Sequence, residues 1–202
     1  MKPLALGLFA LALGCSAGPP ANWARGGALL DLPRARWVLG SGAVDILPDG
    51  RILLNGQHEF TLDRGGRFYD LEGEPLALLE PDGRVVGPGD ADLGRVGALH
   101  ASLPEEKTAW LSVAQTGVVI RYDDEGERFA FGVWMGCNVN LYTHQACTLV
   151  THLIGLRIRA VERSGPRYMP GMGYPGVGAP GMGVGVGVGV GVGVGVGGGL
   201  GP

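Results

Sequence analysis

The sequence lacks a marked charge of either sign. Its 16 lysine and arginine residues stand against 19 aspartate and glutamate residues, and no run of basic residues occurs along the chain. Proteins that hold nucleic acid or anionic membrane electrostatically carry a basic patch, often with aromatic residues interleaved. The composition therefore predicts no nucleic-acid partner.

Motifs for catalysis are also missing. The chain contains no Gly-x-Ser-x-Gly nucleophile elbow and no His-Glu-x-x-His pair; these arrangements place a nucleophile or a metal for hydrolysis. Ser41, between two glycines, is typical of a loop. We therefore expect no catalytic residue, no cofactor, no metal site and no enzymatic activity. The alternative is an enzyme or small-ligand-binding module whose site is assembled from scattered residues without a local motif.

The N-terminus has the pattern of an export signal. Lys2 supplies a positive charge, and residues 4–13 form an apolar stretch that is too short to span a bilayer. The following run Leu-Ala-Leu-Gly-Cys, residues 11–15, resembles the lipobox of bacterial lipoproteins. In that family the cysteine is acylated and becomes the new N-terminus.

This resemblance implies lipid attachment at Cys15 and an exported, membrane-anchored protein. Ser16 after the cysteine, in place of Asp, implies the outer membrane under the usual sorting pattern of the family. Two or more acyl chains anchor a protein stably, whereas one is marginal. An ordinary secretory signal that is cleaved near Ala17 is the alternative.

Only two further cysteines occur, Cys137 and Cys147. With Cys15 acylated, they form an even pair in an oxidising compartment, so we expect a disulfide between them. The chain must reverse direction between the two, and Asn138 and Asn140 are suited to that turn. A zinc site that adds His144 and His152 is the alternative, although its spacing matches no standard zinc motif.

Composition divides the chain into four parts. Residues 1–14 form the signal peptide, and residues 15–36, which are rich in Gly and Pro, are interpreted as the lipidated N-terminus and a flexible spacer. Residues 37–164 form a β-rich domain. Residues 165–202 form a Gly/Pro/Val-rich low-complexity tail.

The β-rich domain contains a degenerate repeat of strand, turn and strand. Its turns are centred on Gly50, Gly66 and Gly83, two of them within Asp-Gly-Arg segments. The repeat predicts an antiparallel meander of short hairpins that forms one small β-sandwich or roll-like domain between disordered termini. Asp-Gly and Asn-Gly also favour type I′ turns. The repeat resembles that of uncharacterised lipoproteins rich in Asp-Gly-Arg-Val segments, which implies an architecture and no activity.

The second half of the domain is expected to continue in strands. Apolar and β-branched runs predict them at residues 108–114, 118–122, 128–135 and 149–161, the last with alternating apolar and arginine residues. Within this region, residues 146–154 fit either a strand or a short helix.

The tail carries three x-Pro-Gly-x-Gly pentads in residues 169–183 and seven Val-Gly pairs in residues 184–197. The pentads are similar to those of elastin, in which Pro-Gly forms the centre of a turn. The tail is expected to add little to folding because it has few large side chains to bury. It is either inert or a segment that self-associates or contacts envelope proteins.

Taken together, these features predict a cell-envelope lipoprotein with a structural or interaction role. Its expected partners are the membrane, through the lipid on Cys15, and other envelope proteins.

Overall fold

Twelve short antiparallel strands and one helix make up the described part of the chain, residues 17–164 of a computed structural model. Each strand pairs with the next along the chain, and β1 also pairs with β12. The strands are β1 Ala35–Leu39, β2 Gly42–Ile46, β3 Arg51–Leu54, β4 Gln57–Leu62, β5 Arg67–Tyr69, β6 Pro75–Leu79, β7 Arg84–Val86, β8 Asp92–Val96, β9 His100–Ser102, β10 Leu111–Val113, β11 Val118–Tyr122 and β12 Arg128–Met135. The helix α1 spans Leu141–Ser164, and a single 3₁₀ turn covers Pro88–Asp90.

The prediction of an antiparallel meander is confirmed, but that of a sandwich or roll is wrong. The pairing of β1 with β12 closes the sheet into a barrel, with Trp37 opposite Trp134 in the register. Both indole rings point inward, at 0% and 2% exposure. Closure removes the two unpaired edges that an open meander would leave to pair with other chains.

The hairpin turns follow two geometries, only one of which was expected. Asn55 and Gly56 both have positive φ, 51° and 84°, as a type I′ turn requires. In the Pro-Asp-Gly turns only the glycine is left-handed, with φ of 93° at Gly50 and 87° at Gly83. Proline fixes the first turn residue near −65°, which favours a type I turn followed by a left-handed glycine. The type I′ prediction is therefore wrong for these turns.

The strand predicted at residues 149–161 is instead the second half of α1. Asn140 begins the helix, because its side-chain Oδ1 accepts hydrogen bonds from the backbone N–H groups of Tyr142 and Thr143 at 2.8 and 2.9 Å. The Thr143 hydroxyl accepts in return from the Asn140 N–H at 3.0 Å. This reciprocal cap stabilises a helix start.

Helix α1 lies inside the barrel. From Thr143 to Gly155 every residue except Gln145 is buried. Because 3.6 residues complete a turn, an unbroken buried run covers all faces of the helix and requires protein on every side. The approach is closest to β8, β9 and β10. At Gly155 the helix contacts an indole: a Cβ there would lie 2.7 Å from the ring of Trp110.

The helix gives the barrel two distinct ends. At the helix-entry end, α1 begins next to the turns that contain Gly50, Gly66, Gly83 and Gly117. At the helix-exit end, α1 emerges beside the β11–β12 turn, where Arg159 donates to Asp124 at 2.9 Å. Alternate turns of an antiparallel meander lie at the same end, so this assignment follows from the strand order.

Residues 17–34 form an arm that lies against the barrel. Its Gly18 carbonyl accepts a hydrogen bond from Gly89 at 2.7 Å, Ala28 donates to Leu79 at 2.7 Å, and Leu30 donates to Arg64 at 2.9 Å. The Leu30 side chain is buried in the core at 3% exposure. Composition favoured a spacer here, but these contacts join the segment to the domain.

The predicted signal peptide, Cys15 and the tail lie outside the described residues. Within residues 17–164, α1 does not combine the length and apolar character that a membrane-spanning helix needs.

Candidate functional site

Buried polar pairs join α1 to the barrel wall. His152, at 0% exposure, accepts a hydrogen bond at Nδ1 from the indole N–H of Trp110 at 2.8 Å. Its Nε2 donates to the Leu93 carbonyl at 2.7 Å. Since an indole nitrogen only donates and a carbonyl only accepts, the ring is neutral with its proton on Nε2. Burial lowers the pKa of His152 to about 4, against a smaller opposing effect of the Leu93 hydrogen bond.

Threonine hydroxyls make further contacts between α1 and the barrel wall. Thr151 accepts from the Trp134 indole N–H at 2.7 Å, and Thr148 donates to the Ala98 carbonyl at 2.7 Å. No buried side-chain nitrogen or oxygen in residues 17–164 lacks a hydrogen-bond partner. Satisfied buried groups of this kind fix the position of the helix inside the barrel.

The two cysteines of the domain form a disulfide. Cys137 follows β12 and Cys147 lies in α1, with their Cα atoms 6.2 Å apart. Of the two asparagines predicted to support the reversal between them, Asn138 and Asn140, it is Asn140 that caps the helix. The disulfide occupies both sulfur atoms that the zinc alternative required. Among the described residues, no group of three or more His, Cys, Asp or Glu side chains is placed to hold a metal.

Reduction of this disulfide is expected to lower the free energy of unfolding by about 2 to 3 kcal/mol, because a loop of this size loses its constraint on the unfolded chain. Urea unfolding of the oxidised protein and of the Cys137→Ala/Cys147→Ala variant measures the difference. Two alkylatable thiols in protein from the oxidising compartment would contradict the assignment.

A cavity of about 510 Å³ opens at the helix-entry end. We call it the entry cavity; its lining residues are Leu99, Gln115, Thr116, Asn138, Asn140, Leu141 and His144. It lies between the β10–β11 turn and the first turn of α1. Its lining combines two leucines with uncharged hydrogen-bonding side chains.

A row of exposed valines crosses the outside of the barrel. Val38 of β1 is opposite Val133 of β12, which is in turn opposite Val118 of β11. Their exposures are 40%, 44% and 40%, and the neighbouring Met135 is 55% exposed. We call these three valines the outer valine row. On the opposite side of the barrel, Arg84 of β7 is exposed.

No sequence motif marks either the outer valine row or the entry cavity. A signal for the outer valine row was present, since residues 129–135 are apolar at nearly every position instead of alternating. A strand with one face in solvent alternates, so a continuous apolar run indicates that both faces avoid water. The entry cavity has no comparable signal, because its residues come from separate loops and from the helix.

Comparison with protein-family models, with curated proteins and with solved structures finds no significant match.

Proposed function

We propose that this protein is a non-catalytic interaction module of the cell envelope, held at the membrane by a lipid on Cys15, which presents the outer valine row to a protein partner. The observation that carries the proposal is the register of Val38, Val133 and Val118. The barrel interior is filled by α1, which leaves the outer surface and the barrel ends for binding.

The small area of the outer valine row favours a weak interaction. Burying a fully exposed valine contributes about 1.5 to 3 kcal/mol, and these three side chains are about two-fifths exposed. The row therefore supplies on the order of 2 to 3 kcal/mol before the cost of association. Such a patch suits a reversible contact with further polar interactions around it, rather than an obligate interface.

A photo-crosslinking amino acid at position 133, introduced in cells that express the full chain, tests the proposed surface. We expect discrete adducts of defined mass from Val133 and none from Arg84, the matched control on the opposite side of the barrel. The same adduct pattern from both positions would contradict the proposal. A loss of the Val133 adducts in the Val38→Asp variant would further support it.

Lipid attachment is tested separately. Cys15→Ala is expected to abolish incorporation of a labelled fatty acid and to release the protein from the membrane fraction, because the acyl chains would provide the stable anchor. The Ser16→Ala variant, at the adjacent position, serves as the control and should remain lipidated. Unchanged labelling and fractionation of Cys15→Ala would show that the lipoprotein assignment is wrong.

A further inference from the structure

His144 lines the entry cavity, and the described residues provide a hydrogen-bond partner to only one of its two ring nitrogens. His144 is 3% exposed, and its Nε2 lies 2.9 Å from the Val113 carbonyl oxygen. Because a carbonyl only accepts, Nε2 is the donor, and Nδ1 is an acceptor in the neutral ring. The described residues provide Nδ1 with no donor, yet none of their fully buried side-chain nitrogens is left unpaired. Because His144 lines the entry cavity, we infer that a group bound there can donate to Nδ1.

The rest of the lining defines the chemistry of a ligand. The carboxamides of Gln115 and Asn138 stand at the mouth, both exposed to solvent, and each offers a donor and an acceptor. Leu99 and Leu141 form an apolar wall.

Two kinds of ligand fit this lining poorly. Within the described part of the chain, no charged side chain lines the cavity, so a charged ligand would lose hydration without gaining a counter-charge. Among the described residues, no Phe, Tyr or Trp side chain lines it, so it offers no large π-face to a planar ring or a sugar.

We propose that the entry cavity binds a short uncharged peptide segment. An apolar side chain of the peptide packs against Leu99 and Leu141, a main-chain amide pairs with the carboxamide of Gln115 or Asn138, and a peptide N–H donates to Nδ1 of His144. A side-chain carboxamide offers a C=O acceptor and N–H donors, so it can pair with the N–H and C=O of a peptide backbone. The volume of about 510 Å³ lies within the range of small-ligand sites. This site is independent of the outer valine row.

Titration of the ¹⁵N-labelled full chain with N-acetyl-leucinamide, monitored by NMR, tests the proposal. We expect saturable shifts at residues that line the entry cavity. N-acetyl-leucine, which differs by a carboxylate in place of the amide, should bind at least about tenfold more weakly because that charge finds no partner.

Two variants test the assigned contacts. In His144→Gln, the glutamine Nε2 can still donate to Val113, but the Nδ1 acceptor is lost, and the dissociation constant should rise about tenfold. Asn138→Ala, at an exposed position where folding is not at risk, should also weaken binding. Thr108→Ala at the helix-exit end is the matched control and should bind as the parent does.

Three results would overturn the proposal: no saturable shift at the cavity, equal binding of the carboxylate probe, or unchanged affinity in both variants. Each of them leaves the crosslinking result at Val133 unaffected, so failure of this site is distinguishable from failure of the proposed function.

Discussion

Between about pH 6.5 and pH 4, the free energy of unfolding is expected to fall by about 3 kcal/mol because of His152. In the unfolded chain this side chain titrates near its ordinary pKa of 6.5, whereas in the folded protein the pKa is about 4. As pH falls through this window, the unfolded state takes up a proton that the folded state does not. Each pH unit then costs the folded protein about 1.4 kcal/mol, so its stability is complete above pH 6.5 and declines below it.

The physical cause of the shift is visible at both ring nitrogens. The ring is 0% exposed, so a charge there would be desolvated. Protonation would also place an N–H against the indole N–H of Trp110, which has no lone pair to offer and now lies 2.8 Å away. Acid therefore removes one of the contacts that hold α1 in the barrel.

Urea unfolding at pH 7, 5 and 4 measures this effect. In His152→Gln the decline between pH 6.5 and pH 4 should disappear, although the variant is less stable at pH 7 because Trp110 loses its acceptor. His100→Gln, at an exposed position in β9, is the control and should keep the pH dependence of the parent. An unchanged decline in His152→Gln would show that another group is responsible.

The carboxylate of Asp63 contributes to the pH dependence of stability in a lower pH range. Burial alone would raise the pKa of Asp63, but hydrogen bonds from the Arg67 backbone and side chain and from Tyr69 lower it below 3.8. Stability that depends on the charged Asp63 is therefore present above about pH 4 and is lost as the pH falls through the lower folded-state pKa. This range is below the window of His152, so the two contributions can be measured separately.

Shortening the Leu149 side chain is expected to lower the stability of the protein by a similar amount. Leu149 is 0% exposed at the middle of the buried part of α1. Leu149→Ala should lower the free energy of unfolding by about 3 kcal/mol, because the lost methyl groups leave a cavity between the helix and the barrel wall. Urea unfolding monitored by tryptophan fluorescence measures the loss.

Val161 provides the matched control on the same helix. It lies beyond the barrel at 71% exposure, so Val161→Ala should change stability by less than about 0.5 kcal/mol. Equal losses in the two variants would contradict the placement of residues 143–155 inside the barrel.

Much of the strand pattern was predictable from the sequence because it is local. The predicted bounds of β11 and β12 agree with the structure, and the turn glycines fall between strands. Hairpins depend on turn residues and on alternation, both of which short stretches of sequence contain.

The helix and the closure of the barrel depend on information that is not local. Leu156, Ile158 and Ala160 alternate with arginines, which is typical of a strand, but they lie where α1 emerges from the barrel. There Arg157 lies over the ring of Phe60 at 4.6 Å, and Arg159 donates a hydrogen bond to Asp124. Pairing of β1 with β12 joins strands from opposite ends of the meander, and no repeat unit encodes it.

The candidate sites also differ in whether short stretches of sequence predict them. The disulfide pair was predictable from the cysteine count and the chain reversal. The entry cavity was not, because Gln115, Asn138 and His144 come together only when α1 begins at the mouth of the barrel.

Hydrogen exchange along α1 tests most directly whether the helix fills the barrel. The backbone amides of residues 147–155 should exchange only through global unfolding and rank among the slowest in the chain, since the barrel encloses them on all sides. The amides of residues 158–164, in the same helix but outside the barrel, should exchange much faster. Equally fast exchange in both segments would contradict a helix enclosed by the barrel.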